Sequence, residues 1–348
     1  MPAVTAKEIA AKLNLSPSAV SLALNGKPGV SEATRALVLE TAAQMGYSRP
    51  ESAAMAGQPK TICFVRYAGA IVQIAEHTSF SSFVLQGVEA RATELGYSTQ
   101  VRYLNAGDLY NPQSLDFFRD AGGVIFLGTD ITKNQLPELE RFFASLGGTP
   151  VVVVDSSLLS GRVDCVTNDC YGGAKAAVDF LLSTGHRRLG YVRARQRIRN
   201  FEERERGVYA ALVGAGFSLS AVIDVDISSE GAFQDFDAWI KGKSTLPDGL
   251  FADNDVIAAA VIRVLKKHGY HVPNDVSVIG FDDVPICEML DPPLTTVHSF
   301  KEELGIVAVE HLDRRIRRGE VPHQLASVGL LHTTVSTSLV KRFSVKAR

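Results

Sequence analysis

Residues 15–31 read Leu15-Ser16-Pro17-Ser18-Ala19-Val20-Ser21-Leu22-Ala23-Leu24-Asn25-Gly26-Lys27-Pro28-Gly29-Val30-Ser31. Ser16 supplies an N-cap oxygen, and Pro17 suits the first helical position, where a backbone N–H has no partner to lose. Ala19, Val20, Ala23 and Leu24 recur at helical spacing, so a short helix with one inward stripe ends near Asn25-Gly26. Ser18, Ser21 and Leu22 are left facing outward. Upstream, Thr5 and Glu8 stand three apart as in a capping box, and Ile9, Ala10 and Leu13 share a face of the helix they open. Asn14 and Leu15 make the tight turn between the two. Downstream, Ser31 caps a third helix whose Ala36, Leu37, Leu39, Ala42 and Ala43 supply an apolar surface, stopped by Gly46. Two short helices joined by a tight turn and closed by a third are the plan of a helix-turn-helix, whose second helix enters the major groove. Spacing alone equally suits a three-helix bundle with a structural or protein-binding role.

The chain has 348 residues, 46% of them hydrophobic, enough for two or three domain-sized units with buried cores. Its net charge of −2 does not advertise nucleic-acid binding, although residues 1–60 hold six Lys/Arg against four Glu. The longest apolar runs, such as Val151 to Val154, are strand-length, and no signal-like apolar stretch opens the chain. A cytoplasmic protein without a membrane partner is therefore expected. Cys63, Cys165, Cys170 and Cys287 are too scattered for a disulfide framework, and the Cys165/Cys170 pair lacks a second pair for zinc. Reduced, buried thiols and no metal or cofactor follow. The sequence holds no Gly-x-x-x-x-Gly-Lys, no His-Glu-x-x-His and no nucleophile elbow, so no catalytic residues are assigned.

From Thr61 onward, β-branched runs alternate with amphipathic stretches. The strands expected are Ile62–Val65, Thr99–Tyr103, Val124–Leu127, Val151–Val154, Leu189–Val192, Ile223–Val225, Leu250–Phe251 and Val276–Ile279. Helices are expected near 82–95, 113–120, 135–146, 172–184, 202–214, 231–241, 255–268 and 301–318. Such alternation predicts parallel sheets covered on both faces, and nearly 280 residues suit two such lobes. Ligands of open parallel sheets collect beyond the carboxyl ends of the strands. Asp155, Asn254, Asp255, Asp282 and Asp283 each follow a strand, and Arg204 lies in the charged run Glu202-Glu203-Arg204-Glu205-Arg206. Post-strand Asp and Asn serve equally as helix caps. The Arg/Glu run is more often a solvated helix face. Carboxylate, amide and guanidinium converging on one site would suit a polyhydroxylated ligand.

The run from Leu15 to Ser31, with Ala6-Lys7-Glu8-Ile9-Ala10 before it and Thr34-Arg35 and Met45-Gly46-Tyr47 after it, closely resembles the head of the lactose-repressor (LacI/GalR) family. The resemblance continues through Gly185-His186-Arg187-Arg188-Leu189, Phe251-Ala252-Asp253-Asn254-Asp255, Val272 to Asp283 and Pro293-Leu294-Thr295-Thr296-Val297. It implies an α/β chain: a three-helix helix-turn-helix domain at 1–47, a hinge or linker at 48–60, and a sensor at 61–340 similar to periplasmic sugar-binding proteins. The sensor would comprise two doubly wound parallel-sheet lobes linked by three crossovers. Its N-lobe would span about 61–157 plus 295–323, its C-lobe about 158–294 plus 324–340, with a basic tail at 341–348.

On this resemblance the partner is double-stranded operator DNA. Pro17, Ser18 and Leu22 face bases, while Thr5, Ser16, Ser21, Asn25 and Thr34 lie near phosphates, which set register without carrying sequence information. Many members carry Arg where this chain has Leu22. Arg pairs bidentately with guanine, whereas Leu can only pack on a thymine methyl or leave the base unread, so an operator that does not demand guanine there is expected. In the connector the family's usual Arg and wedging Leu align with Met55 and Gly57, which leaves Met55 as the candidate wedge of the minor groove, with a plain flexible tether as the alternative. Effector ligands carried over are Arg204, Asn254 and Asp282, then Asp155. Phe80 either covers the ligand or belongs to the core. The effector implied is a sugar or related polyol. A homodimer on a two-fold operator is expected, and the absence of an apolar heptad region at the end argues against a tetramerising coil. The helix at 82–95, with Phe83, Val84, Val88 and Ala92, serves either the lobe interface or its own sheet. A periplasmic solute receptor would share the lobes but not the head, and an enzyme would need motifs the sequence lacks.

Overall fold

The apolar stripes at the start of the chain close on one another in the computed structural model, which describes residues 5–24, 29–45, 47, 61–69, 79–111, 117–118, 121–242, 245–319 and 329–348. The chain divides into two units, Met1–Pro59 and Lys60–Arg348. In the first, α1 (Ala6–Leu13), α2 (Pro17–Leu24) and α3 (Glu32–Gln44) enclose Ile9, Ala10, Val20, Ala23, Val38 and Ala42. Thr5 and Glu8 form the reciprocal capping box, and Asn14 ends α1 at φ 51°, a left-handed turn that Asn tolerates. The third helix presents a different face from the one expected. Val38, Thr41 and Ala42 are buried, Ala36 is exposed, and Leu37 and Leu39 are 50% and 49% exposed. Val38, Ala42 and Met45 continue an i, i+4, i+7 stripe, which turns Leu37 and Leu39 to its two flanks. The side chain of Ala43, together with Asn25, Met55 and the rest of the connector 48–60, lies outside the described residues.

The second unit is built on two parallel sheets. The N-lobe sheet runs β11 (His332–Val335), β5 (Asp164–Asn168), β4 (Val151–Val154), β3 (Gly123–Leu127), β1 (Thr61–Ala68), β2 (Ser98–Asn105). The C-lobe sheet runs β7 (Ala221–Val225), β6 (Leu189–Ala194), β8 (Gly249–Ala252), β9 (Ser277–Ile279). All pairings within both sheets are parallel. Their central strands are continuous apolar runs because helices cover both faces. In the C-lobe α6 (Cys170–Ser183) and α7 (Arg199–Ala215) cover one face, and α8 (Ser229–Ile240) and α9 (Asp255–Lys267) the other. In the N-lobe α5 (Leu136–Ser145) packs Phe142 against Phe126 and Phe118 on one face. The other face carries α4 (Phe80–Glu94) and α11 (Lys301–Gly319), which meet at two glycines. A Cβ on Gly87 would lie 1.9 Å from the Glu302 carbonyl oxygen, and one on Gly305 2.2 Å from that of Val84. Val84, Val88 and Ala92 are thus buried within their own lobe.

The helix expected at 113–120 falls largely outside the described residues. Four strands escaped the sequence reading: β5, β10 (Thr296–Ser299), β11 and β12 (Thr337–Val340), together with the short α10 (Ile286–Met289). The lobe boundaries shift accordingly. Residues 164–168 and 332–335, expected in the C-lobe, extend the N-lobe sheet, because Cys165 pairs with Val153 and Thr333 with Val166. Nor is 341–348 a loose tail: Val278 N–H donates to Ser344 O at 2.9 Å, and Arg348 donates to the carbonyls of Asp248, Pro273, Asn274 and Asp275.

Three passages of chain join the lobes. One follows β5, one runs from β9 through the antiparallel β10–β12 pair into α11, and one links β11 to β12. The first and third run side by side, with Asp169 N–H donating to Val335 O at 2.9 Å and Thr337 Oγ1 to Asp169 O at 3.2 Å. The second is pinned by the buried Lys301, whose ammonium donates to the carbonyls of Asp282 at 2.5 Å and Ser299 at 3.2 Å.

Candidate functional site

In the head, the expected DNA-facing residues lie where local hydrogen bonding puts them. Thr5 Oγ1 accepts from Glu8 N–H at 3.4 Å, and Ser16 Oγ accepts from Ala19 N–H at 3.1 Å. Each hydroxyl therefore caps its own helix. Thr34 is half-buried, with Oγ1 2.7 Å from Ser31 Oγ. Pro17, Ser18 and Ser21 are exposed at the start and along the outer side of α2. The start of this helix carries the positive pole of its dipole, a setting that suits phosphate. Leu22 is half-buried, lying close to Gly29, where a Cβ would come 3.2 Å from Leu22 Cδ1. Gly29 has φ 117°, a backbone state reserved for glycine.

In the sensor, Asp155, Arg204 and Asp282 come together where the carboxyl ends of the two sheets face each other. Arg204, on α7, is 4% exposed; one amino group donates to Asp282 Oδ1 at 2.8 Å and the other to the Asp253 carbonyl. Its guanidinium stacks on Phe281 with Cζ 3.8 Å from the ring centroid. Burial works against its charge, but Asp282, Cys170 and Asp253 together outweigh this and raise its pKa above the ordinary value. Asp155, from the opposite lobe, is 3% exposed, and its Oδ2 accepts from Thr129 Oγ1 at 2.6 Å. Burial pushes the Asp155 carboxyl up to about 7; Asp282 adds to the shift, while the Thr129 hydroxyl and Arg204 oppose it.

Backbone conformation marks the same places. Asp155, Asp282 and Asp283 have φ of 65°, 105° and 54°, values uncommon outside glycine that cluster at binding sites. Asp283 is taken up by Arg342 at 2.7 Å and His298 at 2.8 Å. Asn254 is also buried here, but its Oδ1 caps α9 through Ile257 N–H at 2.9 Å, leaving its amide N–H groups as donors. Asp255 turns away, bound by Thr296 Oγ1 at 2.5 Å and Val284 N–H at 3.0 Å. Phe80 opens α4 on the carboxyl side of β1 and is buried; residues 70–78 before it lie outside the description.

Three side chains on the first turn of α7 reach across to the N-lobe. Asn200 Nδ2 donates to Asp155 O at 3.1 Å, Arg199 Nε to Ser157 Oγ at 3.3 Å, and Lys133 Nζ to Glu202 Oε1 at 3.1 Å. None was singled out from sequence, and neither was Asp253, which is fully buried behind Arg204. A separate cavity of about 480 Å³ lies at the far, amino ends of β4 and β5. The charged groups lining it are joined in the pairs Arg315–Asp164 and Arg162–Glu140, so it offers no comparable set of polar groups. Among the described residues no cluster of His, Cys, Asp and Glu could hold a metal, and no helix is long and apolar enough to cross a membrane.

The model of bacterial regulatory proteins of the lacI family matches residues 5–50, and that of the periplasmic binding protein-like domain matches residues 178–345. The HTH-type transcriptional repressor PurR of Pasteurella multocida (strain Pm70) is 28% identical over 351 residues, 99% of this chain and 99% of the relative. Two solved structures share the fold over nearly the full length. The complex of the transcriptional regulator CelR with cellobiose has a TM-score of 0.67 at 24% identity, covering 98% of this chain and 99% of the other. The lac repressor dimer bound to operator and the anti-inducer ONPF has a TM-score of 0.68 at 21% identity, covering 99% and 100%.

Proposed function

This chain belongs to the lacI family of bacterial regulatory proteins, DNA-binding repressors with a periplasmic-binding-protein-like effector domain, and on that premise we propose that a neutral, hydroxyl-rich small molecule bound between its lobes controls its hold on operator DNA. The observation that carries this reading is the meeting of Asp155 with the Arg204–Asp282 pair across the lobes. An ionised carboxylate can accept about four hydrogen bonds, and the Asp155 carboxyl draws on the Thr129 hydroxyl and the Asn200 amide, which leaves it room for more donors. Hydroxyls are the donors it needs. Arg204 is already matched by Asp282, so the three groups carry no net positive charge, and a sugar phosphate is disfavoured against a neutral sugar or polyol. CelR, bound to cellobiose, is a structural relative in keeping with this chemistry. Asp155, Arg204, Asn254 and Asp282 are the effector ligands in this proposal, with Phe80 at the rim. The head would use Pro17, Ser18 and Leu22 toward bases and Thr5, Ser16, Ser21, Asn25 and Thr34 toward phosphates, in a cytoplasmic homodimer on a two-fold site, with Met55 as the hinge wedge.

Thermal shift against a panel of neutral sugars including cellobiose and ribose tests the effector site. A stabilising sugar should lose its effect in Arg204→Ala, and a sugar that stabilises both proteins equally would move the site elsewhere. For the head, binding selection with wild type and Leu22→Arg should show a guanine preference only in the variant, worth about 1–3 kcal/mol. A guanine requirement in both would refute the base-facing role of Leu22.

A further inference from the structure

We propose that Asp253 is the positioning residue of the effector site: it holds the Arg204 guanidinium in register by tying the loop ahead of α7 to the end of β8. The proposal rests on the reading of Arg204 as an effector ligand. Asp253 directly follows β8 and is fully buried. Its carboxylate accepts from the Tyr191 hydroxyl, from Ala194 N–H at 2.8 Å and from Arg197 Nη1 at 2.7 Å. Arg197 in turn donates to Phe201 O at 2.7 Å and Glu205 Oε2 at 3.0 Å, and Glu205 receives Arg193 at 2.6 Å. One carboxylate therefore fixes the end of β6, the loop that follows and the first two turns of α7. Arg204 sits on those turns.

The same residue acts on Arg204 a second time through its backbone. The Asp253 carbonyl accepts from Arg204 Nη1, while Asp253 N–H donates to Val192 O at 3.0 Å. Any amino acid at this position would present a carbonyl; only an anion of this length also pins Arg197. A buried carboxylate is unfavourable unless paired and hydrogen-bonded. Its three donors meet that condition, and all three belong to the structure that carries Arg204. The lock thus controls both where the helix of Arg204 lies and where its guanidinium points.

The test compares full-length wild type with Asp253→Asn and with Tyr191→Phe, a milder change that removes one donor and leaves the charge. In arginine-labelled protein without added sugar, the two amino groups of Arg204, assigned through Arg204→Lys, should give separate, slowly exchanging NMR signals in wild type. They should average in Asp253→Asn and broaden in Tyr191→Phe. Affinity for whichever panel sugar binds wild type should fall about tenfold in Asp253→Asn, with operator affinity unchanged. A purely structural role would lower the melting temperature yet leave the Arg204 signals and the sugar affinity at 25 °C as they are, and that result would overturn the proposal. If no neutral sugar binds wild type, the effector reading fails, while the Arg204 signals still decide the role of Asp253.

Discussion

Asp155 combines a left-handed backbone with a buried carboxyl pushed up to about 7. A carboxyl whose folded pKa lies above its unfolded value, near 3.8, binds its proton more tightly in the folded state. Its presence therefore destabilises the fold progressively as pH rises from about 4 to about 7, and fully above that. Asparagine accepts the same backbone state and carries no charge. Asp155→Asn should accordingly melt higher than wild type at pH 8, by a few kcal/mol at the order-of-magnitude level, with the gap closing toward pH 5 and the sugar response lost. A gap that does not vary with pH would contradict the assignment. His186 tilts wild type the other way: burial lowers its pKa, so stability falls as pH drops below about 6.5. The difference between the two proteins cancels that contribution.

At this scale the sequence exposed part of the site. Asp155 and Asp282 were readable because each follows an apolar strand, and Arg204 because the family resemblance singled it out. Asn254 supports the ligand reading and the helix-cap reading together. Asp253 left no local signal, since its partners Arg197, Ala194 and Tyr191 lie 56 to 62 residues away.

Among elements, the contact of α4 with α11 makes the sharpest demand. A methyl group on Gly87 would overlap the Glu302 carbonyl, which is main chain and cannot rotate aside. Gly87→Ala should therefore cost about 1–3 kcal/mol by forcing the helices apart, read as a lower chemical-denaturation midpoint with sugar affinity per folded molecule retained. Unchanged stability would mean that the helices separate freely. Hydrophobic periodicity found both helices but could not reveal the contact, because Gly87 and Gly305 contribute no side chain to a pattern. Strands made of continuous apolar runs were likewise legible, whereas β11 and β12, rich in Thr and Ser, were not. Residues 341–348 read as a basic tail; they dock through main-chain carbonyls that accept from the Arg348 guanidinium and through the Ser344 hydroxyl, which donates to Val278 O at 2.6 Å and accepts from Thr295 N–H at 2.8 Å. Composition carries no trace of such bonds.

For the molecule as a whole, the first turn of α7 joins the two lobes beside the proposed effector site. Lys133 and Glu202 are partly exposed, so their pair contributes at most about 1 kcal/mol to holding the lobes together. Glu202→Lys replaces attraction by repulsion and should weaken sugar binding about fivefold or somewhat more. Operator affinity without sugar should stay unchanged, as titration calorimetry and operator binding would show; an unaltered sugar affinity would remove this turn from the closure step. Coupling is reciprocal: whatever factor the sugar imposes on operator affinity, typically about 5–150-fold, operator DNA must impose on sugar affinity.

The three passages between the lobes limit what any bound guest can do. Crossings bonded to one another, as Asp169 is to Val335, and anchored, as by Lys301, favour rotation of one lobe on the other over free sliding. On the proposed function, guests that close the cleft would then act through one motion and differ in the fraction of time it stands shut. Activating and silencing compounds should differ only in that fraction, so a ranking of compounds by closure would also rank them by their grip on the promoter.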